Sequence, residues 1–360
     1  MVDGGGTAVR SAPWLEPEEL VTRGVAELLD TDPAPADPLL LVRLDTAADQ
    51  ETAAAAARVA GESNRILVGV ATDHVDPRLD PVVQALDLTL VPEGAATACD
   101  RVAVTDPVAE ATALHRVAVA NPQAATVLAR LLRWSGTLPV LAALDAESHA
   151  YSMLLGGREF TRWLDQRGPR PLPPPASDQP VLVARDGDQL RITLNRPERR
   201  NAYSAELRDA LVAALQVAVA DTSVTTVILD GAGPLFCSGG DLDEFGTTPD
   251  PVTAHDIRTR AGAARWLHRL AHRLEVRVHG TCVGAGVELP AFAGRVVARP
   301  DTRFLLPEIR MGLIPGAGGT VSIPRRIGRW RTLYLALCGR PIDAETALAW
   351  GLVDAIAAPQ

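Results

Sequence analysis

The chain has 360 residues, 47% of them hydrophobic, and a net charge of −9. That length suits two domains or one large one, and the acidic balance argues against the basic surface that a nucleic-acid backbone requires. Lysine is absent and every fixed cation is arginine, which excludes a Walker A phosphate loop and Schiff-base or pyridoxal-phosphate chemistry.

Taken in chain order, Met1 to Gly6 lacks the basic and apolar regions of a signal peptide. Leu39 to Leu44 reads as a strand, Ala47 to Ala60 as an alanine-rich helix, and Arg65 to Val70 and Leu86 to Val91 as further strands. Helices are expected over Pro107 to Val119, Gln123 to Trp134 and Val140 to Leu164. In the last, Leu141, Leu144, Tyr151, Leu154 and Leu155 form an apolar stripe that predicts packing against a core or a neighbour. Gly168 to Pro175 is a stiff, polyproline-type connector. Beyond it, Val181 to Arg185 and Gln189 to Leu194 alternate around the Asp186-Gly187 turn as a hairpin. Ser204 caps a helix with Leu207, Leu211, Ala214 and Leu215 on one face. Thr226 to Leu229 is a buried-type strand, Arg258 to Leu274 is helical, and Val276 to Val278 enters the Gly280 turn. Strands alternating with helices indicate an α/β architecture. The expected organisation is a segment 1–37, a degenerate α/β and helical domain 38–167, a linker 168–180 and a core 181–360.

The four cysteines, Cys99, Cys237, Cys282 and Cys338, make no CxxC pair, so free thiols in a reducing cytosol are expected. No apolar run reaches the ~18 residues of a membrane helix, and the expected location is cytoplasmic.

Two glutamates stand beside glycine-rich turns. Glu288 closes Gly284-Ala285-Gly286-Val287-Glu288. Glu308 follows Phe304-Leu305-Leu306-Pro307 and precedes Gly312 to Thr320. A third turn, Phe236-Cys237-Ser238-Gly239-Gly240-Asp241, lies upstream. Two carboxylates can divide acid and base work on one substrate, and glycine turns that open helices can aim bare N–H groups at a developing oxyanion.

At these residues the second half resembles the crotonase superfamily of enoyl-CoA hydratases and isomerases. The resemblance covers about Val181 to Ile356. It rests on Leu194 to Glu198 with Asn201-Ala202, on Phe236 to Leu242, on His279 to Leu289, on Pro307 to Thr320, and on Gly339 to Ala344 with Ala349 to Asp354. It implies a spiral of ββα repeats and an acyl-CoA substrate, with no separate cofactor or metal and a homotrimer or dimer of trimers. By motif match, the amides of Ser238 and Ala285 form the oxyanion hole, and Glu288 and Glu308 are the acid/base pair. In that scheme Glu288 activates water for attack at C3 and Glu308 delivers a proton to C2. Retention of both favours hydration over double-bond migration. The resemblance also points to substrate or CoA contacts at Arg199, Arg200, Ala202, Gly239, Asp241 and Gly284. The alternatives are an isomerase or other enolate chemistry, and a non-catalytic acyl-CoA-binding subunit.

Two departures matter. Ala285 replaces the usual glycine, which keeps the N–H. Pro290 falls within the helix expected to begin near Ala285, where proline removes a helix bond unless it lies in the first turn. The resemblance further implies helices after Asp354 that cover the site. Val108 to Arg167 is similar to that tail, so residues 38–167 are expected to be a degenerate crotonase-like copy that kept its tail, and the tail to cover the core, within the chain or across subunits.

Blander readings attach to other residues. Asp241 is expected to accept local backbone bonds. His268 and His272 are four apart, but no HExxH accompanies them. Cys237 and Cys282 read as small buried apolar residues. Ser238 lacks the first glycine of a hydrolase elbow, and Gly316 to Gly319 lacks the third Rossmann glycine. Trp266 to Leu274 reads as helix core, with the lining of an acyl pocket as the alternative.

Overall fold

Leu39–Arg43 and Ile66–Val70 are apolar at nearly every position, the pattern of parallel strands covered on both faces. The computed structural model describes residues 12–28, 37–46, 48–95, 98–172, 175 and 178–358. Met1 to Gly6, and Pro173 and Pro174 of the connector, lie outside the described residues. The chain forms two compact units, 1–126 and 127–360.

In the first unit, β1 (Trp14–Leu15), α1 (Pro17–Leu28), β2 (Leu39–Arg43), α2 (Gln50–Glu62), β3 (Ile66–Val70), α3 (Asp80–Ala85), β4 (Leu88–Pro92), β5 (Val102–Val104) and α4 (Pro107–Ala120) follow in order. The strands make one sheet in the sequence β1-β2-β3-β4-β5, parallel throughout. Leu40, Val42, Leu67 and Val83 are fully or almost fully buried in its core. The alanine-rich helix begins later than its composition suggests, because the Asp49 side chain caps it by accepting the Thr52 amide.

The unit boundary falls inside α5 (Pro122–Ser135). The second unit continues with α6 (Val140–Leu155), α7 (Arg158–Arg167), β6 (Val181–Asp186), β7 (Gln189–Leu194), α8 (Ala205–Ala220), β8 (Thr226–Gly231), α9 (Pro251–Ala261), α10 (Ala264–Leu270) and β9 (Leu274–Val278). Then come β10 (Thr281–Val283), α11 (Ala285–Glu288), β11 (Arg295–Ala298), β12 (Arg303–Leu305), α12 (Gly319–Cys338), β13 (Ile342–Asp343), α13 (Ala344–Trp350) and β14 (Ala355–Ile356). A six-stranded sheet runs β14-β11-β9-β8-β7-β6 and a three-stranded one runs β10-β12-β13. From β9 to β12 successive strands enter the two sheets in turn. Among the described residues, no helix is long and apolar enough to cross a membrane.

Three expectations change in detail. The helix foreseen over 140–164 is two helices, because Gly156-Gly157 interrupts it. The helix foreseen over 258–274 breaks at Gly262, where a Cβ would collide with the Arg258 carbonyl, and Leu274 already belongs to β9. The compact units do not divide at 168–180, because α6 and α7 pack on the 181–360 core. Phe160 and Trp163 of α7 pack against the Phe245 ring. The Arg167 guanidinium donates to the carbonyls of Leu242 and Phe245. Gly312 leaves room for Glu159. Of the expected α6 stripe only Leu154 is buried and Leu141 is exposed; the face that α6 buries also carries Ala143, Glu147, Ser148 and Ser152.

Candidate active site

Strands β10 and β12 pair in parallel with Val283 opposite Leu305. Their ends therefore deliver Gly284 and Leu306 side by side, and the Gly284 amide donates to the Leu305 carbonyl at 2.9 Å. Gly284 has φ +48° and ψ −114°, a conformation that side chains disfavour. A Cβ there would lie 2.5 Å from Glu308 Oε1 and 3.8 Å from Glu288 Oε1. The two carboxyl groups therefore converge on one point above Gly284. Pro290 does not disturb this arrangement. The α11 helix is a single turn ending at Glu288, and Pro290 opens the next 3-10 turn, where its missing N–H costs no helix bond.

The loop before α12 fixes Glu288. Its Oε2 accepts the amides of Ala317 at 2.7 Å and Gly319 at 2.9 Å. The intervening and following amides go to a third carboxylate, Glu147 of α6. Gly318 donates to Glu147 Oε1 at 2.7 Å, and Thr320 donates to Oε2 from its amide at 2.9 Å and its hydroxyl at 2.7 Å. Glu308 differs, because its Oε2 is buried without a hydrogen-bond partner. Burial pushes all three acids up. Glu147 rises to about 7, Glu308 rises to about 8, and Glu288 is driven well above the carboxylate range by burial and then by the charges of Glu308 and Glu147. Three buried carboxyls this close disfavour carrying three charges at once, and the Ala317 and Gly319 amides offset part of that cost at Glu288.

These groups face a cavity of about 260 Å³ whose lining includes Glu147, Tyr151, Gly240, Ala285, Glu288 and Glu308. The backbone amides of Gly240 and Ala285 have no acceptor among the described residues. Ser238 departs from its expected place. Its amide donates to the Arg200 carbonyl at 3.1 Å, and the residue does not line the cavity. The turn sets this pattern. Gly239, at φ +92°, donates no side chain, and its carbonyl accepts the Tyr203 amide at 2.7 Å. That pairing leaves the next amide, on Gly240, facing the cavity. A side chain at Gly240 would meet the Phe245 ring at 2.8 Å.

The expected CoA contacts divide. The Arg199 guanidinium is tied to Asp241 at 2.7 and 2.8 Å and to Asp243 at 2.7 Å, which holds its pKa up. Asp241 is therefore buried against Arg199 and also accepts the Asp243 amide, in keeping with a structural role. Arg200 is exposed, has φ +54°, and its guanidinium has no partner among the described residues. Ala202 and Arg199 line a second hollow that shares Asp241 and Ser204 with the main cavity.

Cys237 and Cys282 are buried, and burial pushes the Cys237 thiol up to about 12, so neither is an activated nucleophile. Ala263, which caps α10, and Ala264 and Arg265 of that helix line the cavity, and Trp266 does not. Among the described residues, no group of three His, Cys, Asp or Glu side chains is placed to hold a metal ion.

Glu147 and Gly240 are absent from the sequence expectations. Glu147 had a legible signal, because it lies within the Leu144–Tyr151–Leu155 stripe. A carboxylate on an apolar helix face must find donors when that face is buried. The Gly240 amide had none, because every residue of that turn carries one.

Residues 188–360 match the family model described as enoyl-CoA hydratase/isomerase. The chain is 37% identical to the 2,3-dehydroadipyl-CoA hydratase of Escherichia coli over 174 residues, which cover 48% of this chain and 68% of that protein. It is 35% identical to the 1,2-epoxyphenylacetyl-CoA isomerase of the same organism, over 46% of this chain and 64% of that one. A solved enoyl-CoA hydratase from Mycobacterium smegmatis is similar at 31% identity and a TM-score of 0.47, over 51% of this chain and 71% of that one.

Proposed function

Because the chain belongs to the enoyl-CoA hydratase/isomerase family, the crotonase superfamily, we propose that it is a hydratase-type enzyme that adds water to a trans-2-enoyl-CoA or removes it. The observation that carries this reading is the convergence of Glu288, Glu308 and two unoccupied amides on one cavity.

The thioester oxygen sits between the amides of Gly240 and Ala285. As C3 is attacked, negative charge moves to that oxygen, and fixed donors stabilise it as it forms; one such donor is worth ~3–4 kcal/mol. Glu288, oriented by Ala317 and Gly319, takes a proton from water while the water oxygen bonds to C3. Glu308, raised by burial, delivers a proton to C2 as the enolate collapses. The proton count closes when Glu288 passes its proton to solvent or to Glu308. Water is added as OH at C3 and H at C2, and nothing is oxidised or reduced.

Glu147 acts through the loop it holds, keeping Ala317 and Gly319 aimed at Glu288. Arg200, an exposed cation with no partner among the described residues, is suited to a CoA phosphate. The ββα spiral is supported by the alternation of successive strands between the two sheets of the second unit. Assembly into trimers is part of the same proposal and is read by sedimentation.

The deciding experiment assays crotonyl-CoA and longer trans-2-enoyl-CoA thioesters side by side for hydration and double-bond migration. Hydration is expected. Migration alone makes the protein an isomerase. Binding of the thioesters with no turnover of any of them removes the enzymatic reading.

A further inference from the structure

Arg258 on α9 borders the same cavity, and its guanidinium has only neutral hydrogen-bond partners. Its Nε donates to Ser148 Oγ at 3.2 Å, and its Nη2 donates to the Ser148 carbonyl at 3.3 Å and to the Ser152 hydroxyl. The group lies over the Tyr151 ring, 4.4 Å from its centroid. Among the described residues no carboxylate forms an ion pair with it. Its Nη1 has no acceptor among the described residues and is not fully buried, and the residue lines the cavity. Glu147 is the nearest candidate counter-charge, but its oxygens are already taken by Gly318 and Thr320.

A partly buried cation with neutral neighbours is costly unless an anion arrives to meet it. Burial disfavours the charge of Arg258, offset only through Tyr151 and Glu147. The serines and the ring hold the guanidinium in place and leave one edge open, which suits a planar anion. A second arginine, Arg265, also borders the cavity and has no partner among the described residues. Arg258 borders the same cavity as Glu288, Glu308 and the free amides of Gly240 and Ala285, the enclosure that receives the acyl part of a thioester held by those amides. An anion that enters beside the two glutamates is therefore attached to the acyl chain rather than to the CoA end.

We propose that Arg258 receives a carboxylate at the far end of the acyl chain, so that the substrates are CoA thioesters of dicarboxylic acids. This inference rests on the acyl-CoA reading above and narrows its substrate class.

The test is calorimetric binding of saturated thioesters in matched pairs, hexanoyl-CoA against adipoyl-CoA and octanoyl-CoA against suberoyl-CoA. These cannot be hydrated, so binding is read apart from turnover. In at least one pair, wild type is expected to bind the carboxylated member about tenfold or more tightly, the worth of one charge-assisted hydrogen bond. Arg258→Gln and Arg258→Met are expected to erase that preference. Equal affinity for both members of each wild-type pair overturns the proposal, and needs no variant to fold. Equal weakening of both members in the variants also overturns it, because the cation would then serve the CoA phosphates or balance the glutamates. Failure here leaves hydration of unsubstituted enoyl-CoA intact, whereas failure of the hydratase reading appears as no turnover of either class.

Discussion

Glu147 and Glu288 hold alternate amides of one loop. Gly318 and Thr320 donate to Glu147, and Ala317 and Gly319 donate to Glu288. The loop is thereby pinned between a helix that precedes the core in sequence and the one-turn helix that carries Glu288.

Loss of the Glu147 anchor should therefore be felt at Glu288. Glu147→Ala leaves two amides and a hydroxyl without their acceptor, and is expected to cost about 2–4 kcal/mol of stability. The expected kinetic signature is a fall in kcat with a smaller change in KM, measured on the folded fraction. Glu147→Gln is expected to restore stability better than Ala, and activity only in part, because its amide nitrogen cannot accept from a loop amide.

Glu288→Gln and Glu308→Gln are each expected to reduce hydration of crotonyl-CoA by about 10²–10⁴. Steady-state assays of both variants check this. Hydration retained in Glu288→Gln would remove that residue from the chemistry.

The amide of Ala285 can be deleted without breaking a helix bond, since it is the first residue of α11 and that position tolerates proline. Ala285→Pro is expected to lower kcat by about 10²–10³ if this amide grips the thioester oxygen. A melting curve run beside the assay separates loss of the donor from loss of the fold.

The pH dependence of stability has a definite sign. Burial raises Glu308 to about 8 from an ordinary value of 4.5, so between those values the folded protein binds more protons than the unfolded chain. Its contribution is therefore present at low pH and is lost as pH rises toward 8. Glu308→Gln has no proton to lose. It is expected to melt higher than wild type at pH 8, by at least about 2–4 °C, the shift for 1 kcal/mol in a unit of this size, and to match it more closely at pH 5. An equal difference at both pH values would contradict the raised pKa.

The sequence by itself determined the local elements and the chemical types at the site. Alternation around Asp186-Gly187 made a hairpin, Ser204 made a cap, and glycine turns beside Glu288 and Glu308 marked where carboxylates leave the strands. These are short-range consequences of backbone geometry, so a window of a few residues contains them. Three things were decided only by tertiary structure. Which amide of the Phe236–Asp241 turn is free depended on Arg200, whose carbonyl takes the Ser238 amide. Arg199 was removed from the free cations by Asp241 and Asp243, more than forty residues away in sequence. Glu147 reached the site because α6 packs against α9 and α12. Each outcome is a competition for hydrogen-bond partners between distant segments. A buried donor or acceptor must be satisfied by whatever the fold brings to it, and that partner is not written in the neighbouring sequence.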